Sequence, residues 1–275
     1  MTYLSAVLLG LVQGICEFLP ISSSGHLALL QHIFHIDGAD LMFDVLLHIG
    51  TLLPVLWVFR KEVRSARRGI FGLIGMGHDR GRNSPRSREN RRLGIFVLVA
   101  TVPMILSLLL RHTAQSVEQR PAVVGILLLL NGGILYLAGR FGNREKPEKS
   151  ISLLDVLLVG LGQIFAVLPG ISRSGVTISV GLLRGFSKDF AVKFSFLLLI
   201  PAVLGAAAMA VYQAVTLGFD VGLLPVYLAG MAASAVSGYF AVRLLKWVTA
   251  RWSIGGFAYY CWGAGIVALL LSLVA

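Results

Sequence analysis

Charge is what this chain lacks most. Of its 275 residues 13% are charged, against about a quarter in soluble domains, while 56% are hydrophobic and the mean hydropathy is +0.82. An ordinary soluble domain is excluded. Cysteine is scarce as well. Cys16 and Cys261 both lie in apolar stretches, which excludes a disulfide framework and reads as two small buried hydrophobes. Sustained alternation of apolar and polar residues is missing, which excludes β-barrel spans. Lys and Arg are absent from Met1 to Phe59, so there is no basic leader region. The first apolar run carries Glu17 instead of a small-residue cleavage site, and a secretory signal is not expected.

The charge that is present is uneven. The net charge is +11, and eleven Lys and Arg fall between Arg60 and Arg92, against Glu62, Asp79 and Glu89. Beside apolar spans such a block reads as a cytoplasmic loop, within reach of anionic lipid headgroups. It contains no folded nucleic-acid-reading module, so no nucleic-acid partner is expected.

What is there in abundance is long apolar sequence. Runs at about 41–59, 93–110, 121–139, 194–217, 223–242 and 254–275 approach the roughly 20 residues a spanning helix needs. Two further apolar regions are interrupted. Residues 3–36 are broken by LPISSSG and residues 151–183 by LPGISRSG. Each half is too short to cross alone, and irregular backbone at membrane depth survives only inside protein or beside a wet cavity. The expected fold is an all-α polytopic membrane protein, a single membrane domain over 1–275, with about six transmembrane helices and two re-entrant helical hairpins.

The two interrupted regions resemble each other. At an offset of 150, Gly10, Leu11, Gln13, Ile21, Ser22, Ser24 and Gly25 fall on Gly160, Leu161, Gln163, Ile171, Ser172, Ser174 and Gly175. The following spans echo this with one residue of slip, FDVLLHI against FSFLLLI. Two repeats are therefore expected, about 1–140 and 150–275. Basic clusters at 60–92, 140–149, 184–193 and 243–251 mark the cytoplasmic side, and the connectors at 37–40, 111–120 and 218–222 the outer side. This inverts one repeat relative to the other and predicts a binding site where the breaks meet.

Gln13 and Glu17 are four apart and share one helix face. A carboxylate at membrane depth reads as functional, the rival reading being a structural acid paired with a buried donor. Ser22, Ser23, Ser24 and His26 open the next helix. One serine is expected to be its N-cap; a helix N-terminus lined with hydroxyls also suits an anion, and His26 suits proton transfer near neutral pH. In the second break Arg173 needs an anionic partner, and its fork fits phosphate. Ser172, Ser174 and Thr177 add hydroxyls, and Gly170 and Gly175 admit backbone N–H groups. Pairing of Arg173 with Glu17 is compatible with ligand binding. The set suits a lipid-borne phosphate. Gln13 and Glu17 offer oxygens to a divalent cation. Attack by a serine with His26 as base and attack by a metal-bound water both remain open. Weaker polar candidates are Gln163, Asp44, His48, His32 and His35.

QGICEFLPISSSGH and LPGISRSGVTIS resemble the two signature regions of the undecaprenyl-diphosphate phosphatase family, the bacterial bacitracin-resistance membrane proteins. Gln13 and Glu17 fill its Glu/Gln-xxx-Glu motif. Pro169, Gly170, Ser172, Arg173, Ser174 and Thr177 fill its PGxSRSxxT motif, and FSFLL with Pro201 follows. The arginine-rich loop departs from the pattern. The resemblance implies hydrolysis of undecaprenyl diphosphate to the monophosphate and phosphate, recycling the carrier lipid for cell-wall synthesis and giving bacitracin resistance. It implies a divalent cation, Mg²⁺ or Ca²⁺, a multi-pass protein of the bacterial cytoplasmic membrane with its site on the outer side, and a homodimer in many cases. Catalytic roles then fall to Glu17, Ser23, His26 and Arg173, with Ser23 the leading nucleophile. A flippase for a polyprenyl phosphate, using the same anion site, is the rival reading.

Overall fold

The computed structural model describes residues 1–36, 40–73, 84–142 and 145–274. Most of the connector at 37–40, the middle of the basic segment with Asp79, and Arg144 lie outside the described residues. Twelve α-helices are described: α1 Tyr3–Phe18, α2 Ser23–Ile33, α3 Leu41–Val58, α4 Arg60–Leu73, α5 Pro85–Thr101, α6 Arg111–Glu118, α7 Pro121–Phe141, α8 Leu153–Gly162, α9 Arg173–Leu183, α10 Lys188–Leu217, α11 Leu224–Arg251 and α12 Gly256–Val274. Among the described residues six helical segments are long and apolar enough to cross a membrane.

The expected spans are all present as helices, with local differences at their ends. The segment 93–110 belongs to a longer helical run. Its second half, Val102–Leu110, tightens to 3₁₀ geometry where Pro103 has no N–H to give. The connector at 111–120 is not a loop, because α6 occupies most of it. Nor is the basic segment 60–92 a loop throughout. α4 and the start of α5 are helical and packed together, joined by Ser65 Oγ donating to Asn90 Oδ1 at 2.5 Å. α4 sets Val63, Ala66 and Ile70 at helical spacing between its arginines, a periodicity that charge counting alone conceals.

α1 packs along α11, α8 along α5, and α7 along α12, while α3 lies against both α10 and α11. The two interrupted regions open alike. Thr2 with Ser5, and Ser152 with Asp155, each form a reciprocal capping box, so the 150-residue offset extends to the helix starts. Between the layers lies an aromatic core. Phe18, the last residue of α1, meets Phe196 of α10 edge to face at 5.3 Å. At the basic end, buried Asp155 accepts from Lys146 Nζ at 2.5 Å and from Arg184 Nε at 2.8 Å, tying the start of α8 to the end of α9. Leucines and valines cover the outer faces of the spans, including Leu53, Leu109, Val215 and Leu273, as a surface facing acyl chains requires.

Candidate active site

The site begins with two failures of helix. α1 stops at Phe18 because Pro20 cannot supply a helical N–H, and the chain turns through Leu19–Ser22 before α2 starts. In the second region α8 gives way to 3₁₀ geometry over Gln163–Val167, then turns before α9. Each new helix has a serine N-cap: Ser22 Oγ accepts from Gly25 N at 3.2 Å, and Ser172 Oγ from Gly175 N at 3.0 Å.

The two turns meet. Ser22 Oγ also accepts the N–H of Gly170 at 3.0 Å and donates to Ile171 O at 3.3 Å. Ser22 has φ 72° and Gly170 φ 109°, so both turns pass through the left-handed region, which suits Gly170 and strains Ser22. Gly25 permits the approach, since a Cβ there would lie 2.8 Å from Gly170 N. Asn131 of α7 holds both turns from behind. Its Nδ2 donates to Pro20 O at 2.9 Å and its Oδ1 accepts from Ser172 N at 3.0 Å.

On the other side of this junction is Glu17, which is 6% exposed. Its Oε2 accepts from Ser23 Oγ at 2.7 Å and from Gln13 Nε2 at 3.1 Å. Its Oε1 is ion-paired with Arg173 Nη2. His48 Nδ1 donates to Asp44 O at 2.8 Å, which leaves Nε2 facing Glu17 Oε2 at 3.6 Å. Buried ions need partners, and here the acid of one interrupted region neutralises the guanidinium of the other. Arg173 Nη1 is buried and has no hydrogen-bond partner among the described residues, so one edge of its fork is free.

A cavity of about 960 Å³ opens onto this cluster. Glu17, Ser23, Ser24, Ser172, Arg173 and Ser174 line its inner end, and Asp40, Asp44, Arg111 and Glu118 its mouth. Ser24 Oγ is 3.5 Å from Ser22 Oγ; Ser174 Oγ donates to Glu17 O at 3.3 Å and lies 3.1 Å from Ser172 Oγ. Thr177 lies outside the lining. Its hydroxyl donates to Arg173 O at 2.8 Å and meets Ser195 Oγ at 2.7 Å, which joins α9 to α10. Gln163, the counterpart of Gln13, donates to Ala100 O at 2.7 Å and likewise lies outside the lining.

His26 is not among the cavity-lining residues. Its Nδ1 meets the Ser22 carbonyl at 2.8 Å and must donate to it, and Nε2 meets Tyr260 Oη at 2.9 Å. The imidazole lies against the Tyr260 ring, centroids 5.6 Å apart. In this arrangement His26 holds the Ser22 backbone, and His48 is the imidazole nearest the carboxylate.

Gln13 and Glu17 do not form a cation cage. Gln13 turns its amide nitrogen to Glu17, and both Glu17 oxygens are taken, one of them by a guanidinium that would repel a metal. Gln13 Oε1 has no partner among the described residues, but it is a single neutral oxygen outside the cavity lining. Among the described residues no three His, Cys, Asp or Glu side chains are grouped to hold a metal.

Asn131 and Tyr260 escape sequence reading because each lies in a predominantly apolar span with no motif around it. His48 is visible only as a histidine four residues from Asp44.

Along nearly its whole length the chain is similar to known proteins. The undecaprenyl-diphosphatase of Methanosphaera stadtmanae is 39% identical over 275 residues, covering 98% of each chain. That of Alkaliphilus metalliredigens is 38% identical over 276 residues and covers both chains fully, and that of Carboxydothermus hydrogenoformans is 37% identical over 275 residues, covering 98% of each chain. Residues 6–267 match the family described as bacitracin resistance protein BacA, and the chain belongs to that family.

Proposed function

We propose that the protein hydrolyses undecaprenyl diphosphate to undecaprenyl phosphate and inorganic phosphate, recycling the carrier lipid for cell-wall synthesis and conferring bacitracin resistance. The observation that carries this is the convergence of Ser23, Glu17 and Arg173 on the wall of one cavity. The name shared by its relatives supports it. A flippase would need the anion site but no hydroxyl held 2.7 Å from a carboxylate.

In the reaction Ser23 Oγ attacks the terminal phosphorus while Glu17 takes its proton. The Oγ–P bond forms as the bridging P–O bond breaks, releasing the lipid monophosphate. Water then opens the phosphoserine, and Ser23 recovers its proton. The free Nη1 edge of Arg173 and the N-termini of α2 and α9 meet the charge on the transferring group. The divalent cation implied by the family resemblance, Mg²⁺ or Ca²⁺, is proposed to enter as counter-ion of the diphosphate, because Gln13 and Glu17 do not converge on it.

The cavity mouth lies at the start of α3, at α6 and near the end of α10, opposite the end of α3, which Arg60 and Lys61 follow, and the start of α10, which carries Lys188 and Lys193. With the basic ends in the cytoplasm, the site faces outward in a bacterial cytoplasmic membrane. Phosphate release from a C55 or C15 prenyl diphosphate by purified protein in detergent tests the reading. Wild type is expected to turn over and Arg173→Ala to lose nearly all activity. Well-folded protein that releases no phosphate would favour the flippase.

A further inference from the structure

The arginine-rich end carries a second concave surface, which shares no lining residue with the catalytic cavity. It is a groove of about 440 Å³ between the end of α4, the first half of α5 and the start of α8. Arg88, Arg91 and Arg92 line one part of it, and Ile95, Phe96 and Leu153 another.

Arg88, Arg91, Arg92, Ile95 and Phe96 follow one face of α5 at spacings of three and four. Arg92 is fixed, its Nη2 donating to Ile151 O at 2.6 Å and its guanidinium lying 4.9 Å from the Phe96 ring centre. Arg88 and Arg91 are exposed, and no carboxylate pairs with either among the described residues. From Arg91 to Ile95 the helix rises about 6 Å, at ~1.5 Å per residue. The polar layer on each side of a bilayer is of similar depth, about 5–8 Å. Where the arginines stand among lipid phosphates, Ile95, Phe96 and Leu153 therefore stand at the start of the acyl chains. A soluble polyanion would engage the arginines and leave the apolar part of the groove in water. A lipid with an anionic head satisfies both parts.

We propose that this groove binds an anionic phospholipid of the cytoplasmic leaflet. Its phosphodiester lies between Arg88 and Arg91 and its first acyl carbons lie against Ile95, Phe96 and Leu153. The lipid would sit on the α5–α8 seam. Farther along that seam Ala100 O accepts Gln163 Nε2, just before the turn that presents Arg173.

The test is native mass spectrometry of the full chain released from detergent, titrated in parallel with dioleoyl phosphatidylglycerol and dioleoyl phosphatidylcholine. Wild type is expected to prefer the glycerol lipid. Arg88→Gln/Arg91→Gln is expected to weaken that lipid by about fivefold for each arginine removed, with the choline lipid unchanged. Arg88→Lys/Arg91→Lys should keep most of the preference, which guards against misfolding. Arg173→Ala should keep all of it. The proposal is overturned if wild type shows no preference, if the preference survives the double Gln variant, or if Arg173→Ala abolishes it, since that would place the lipid in the catalytic cavity.

Discussion

The Oγ of Ser22 caps two helices' worth of turn at once. It accepts Gly25 N–H at 3.2 Å within its own chain segment and Gly170 N–H at 3.0 Å across the junction. Ser22→Ala strips both donors of their acceptor. Leaving buried N–H groups unpaired costs about 1–3 kcal/mol each. The expected outcome is a fall in thermal stability together with a loss of turnover larger than a cap deletion at Thr2 would give. Equal effects of Ser22→Ala and Thr2→Ala on turnover would mean that the junction does not position the site.

Glu17 and Arg173 answer for each other's burial. Removing either charge alone leaves the other unpaired, at a cost of about 3–5 kcal/mol for a buried pair. Glu17→Gln and Arg173→Gln are each expected to lower the unfolding temperature and nearly abolish phosphate release. The double variant should recover much of the stability and none of the activity. Calorimetry beside a phosphate assay separates the two roles, and recovery of turnover in the double variant would refute a chemical role for the pair.

Ser23 is expected to be phosphorylated during turnover. Ser23→Ala should lose about 10²-fold or more in kcat if positioned proton transfer and covalent catalysis act here. A substrate labelled in the terminal phosphate, quenched with acid, should label wild type and not the variant. Substantial turnover by Ser23→Ala without labelling of wild type would favour direct attack by water.

Gln13 is expected to matter for packing of Glu17 and not for the cation. Gln13→Ala should lower kcat modestly while leaving the Mg²⁺ or Ca²⁺ concentration for half-maximal rate unchanged. A shift of that concentration by tenfold would restore Gln13 as a ligand.

Asn131 has the geometry of a positioning residue. Asn131→Asp keeps an acceptor for Ser172 N–H and loses the donor to Pro20 O, whereas Asn131→Ala loses both. The aspartate is expected to retain more activity than the alanine, with KM for the lipid disturbed less than kcat in both. Indistinguishable wild-type kinetics would show that the turns hold each other without α7.

The signals that made the core of the site legible were local. Glu17, Ser23 and Arg173 are expensive groups in apolar sequence, and each sits beside a proline or glycine that stops a helix, so their convergence follows from where irregular backbone is tolerated. Asn131 and His48 were obscure for the opposite reason: each lies within a regular span, and its partner is set by packing between distant segments. His26 shows the limit of reading proximity along the chain, since a ring three residues from Ser23 finds Tyr260 of α12 instead of Glu17. In the arginine-rich segment the charges mask the helical spacing of the few apolar residues between them.

The 150-residue offset aligns serine with serine and glycine with glycine at the turns, but it sets Glu17 against Val167 and Ser23 against Arg173. The two interrupted regions share their carpentry and differ in the charges they present. Two copies of the first interrupted region would confront Glu17 with Glu17 and lack Arg173; two copies of the second would confront Arg173 with Arg173 and lack Glu17. The cluster of Glu17, Ser23 and Arg173 thus draws on both regions, and a single chain supplies these unlike partners in equal number.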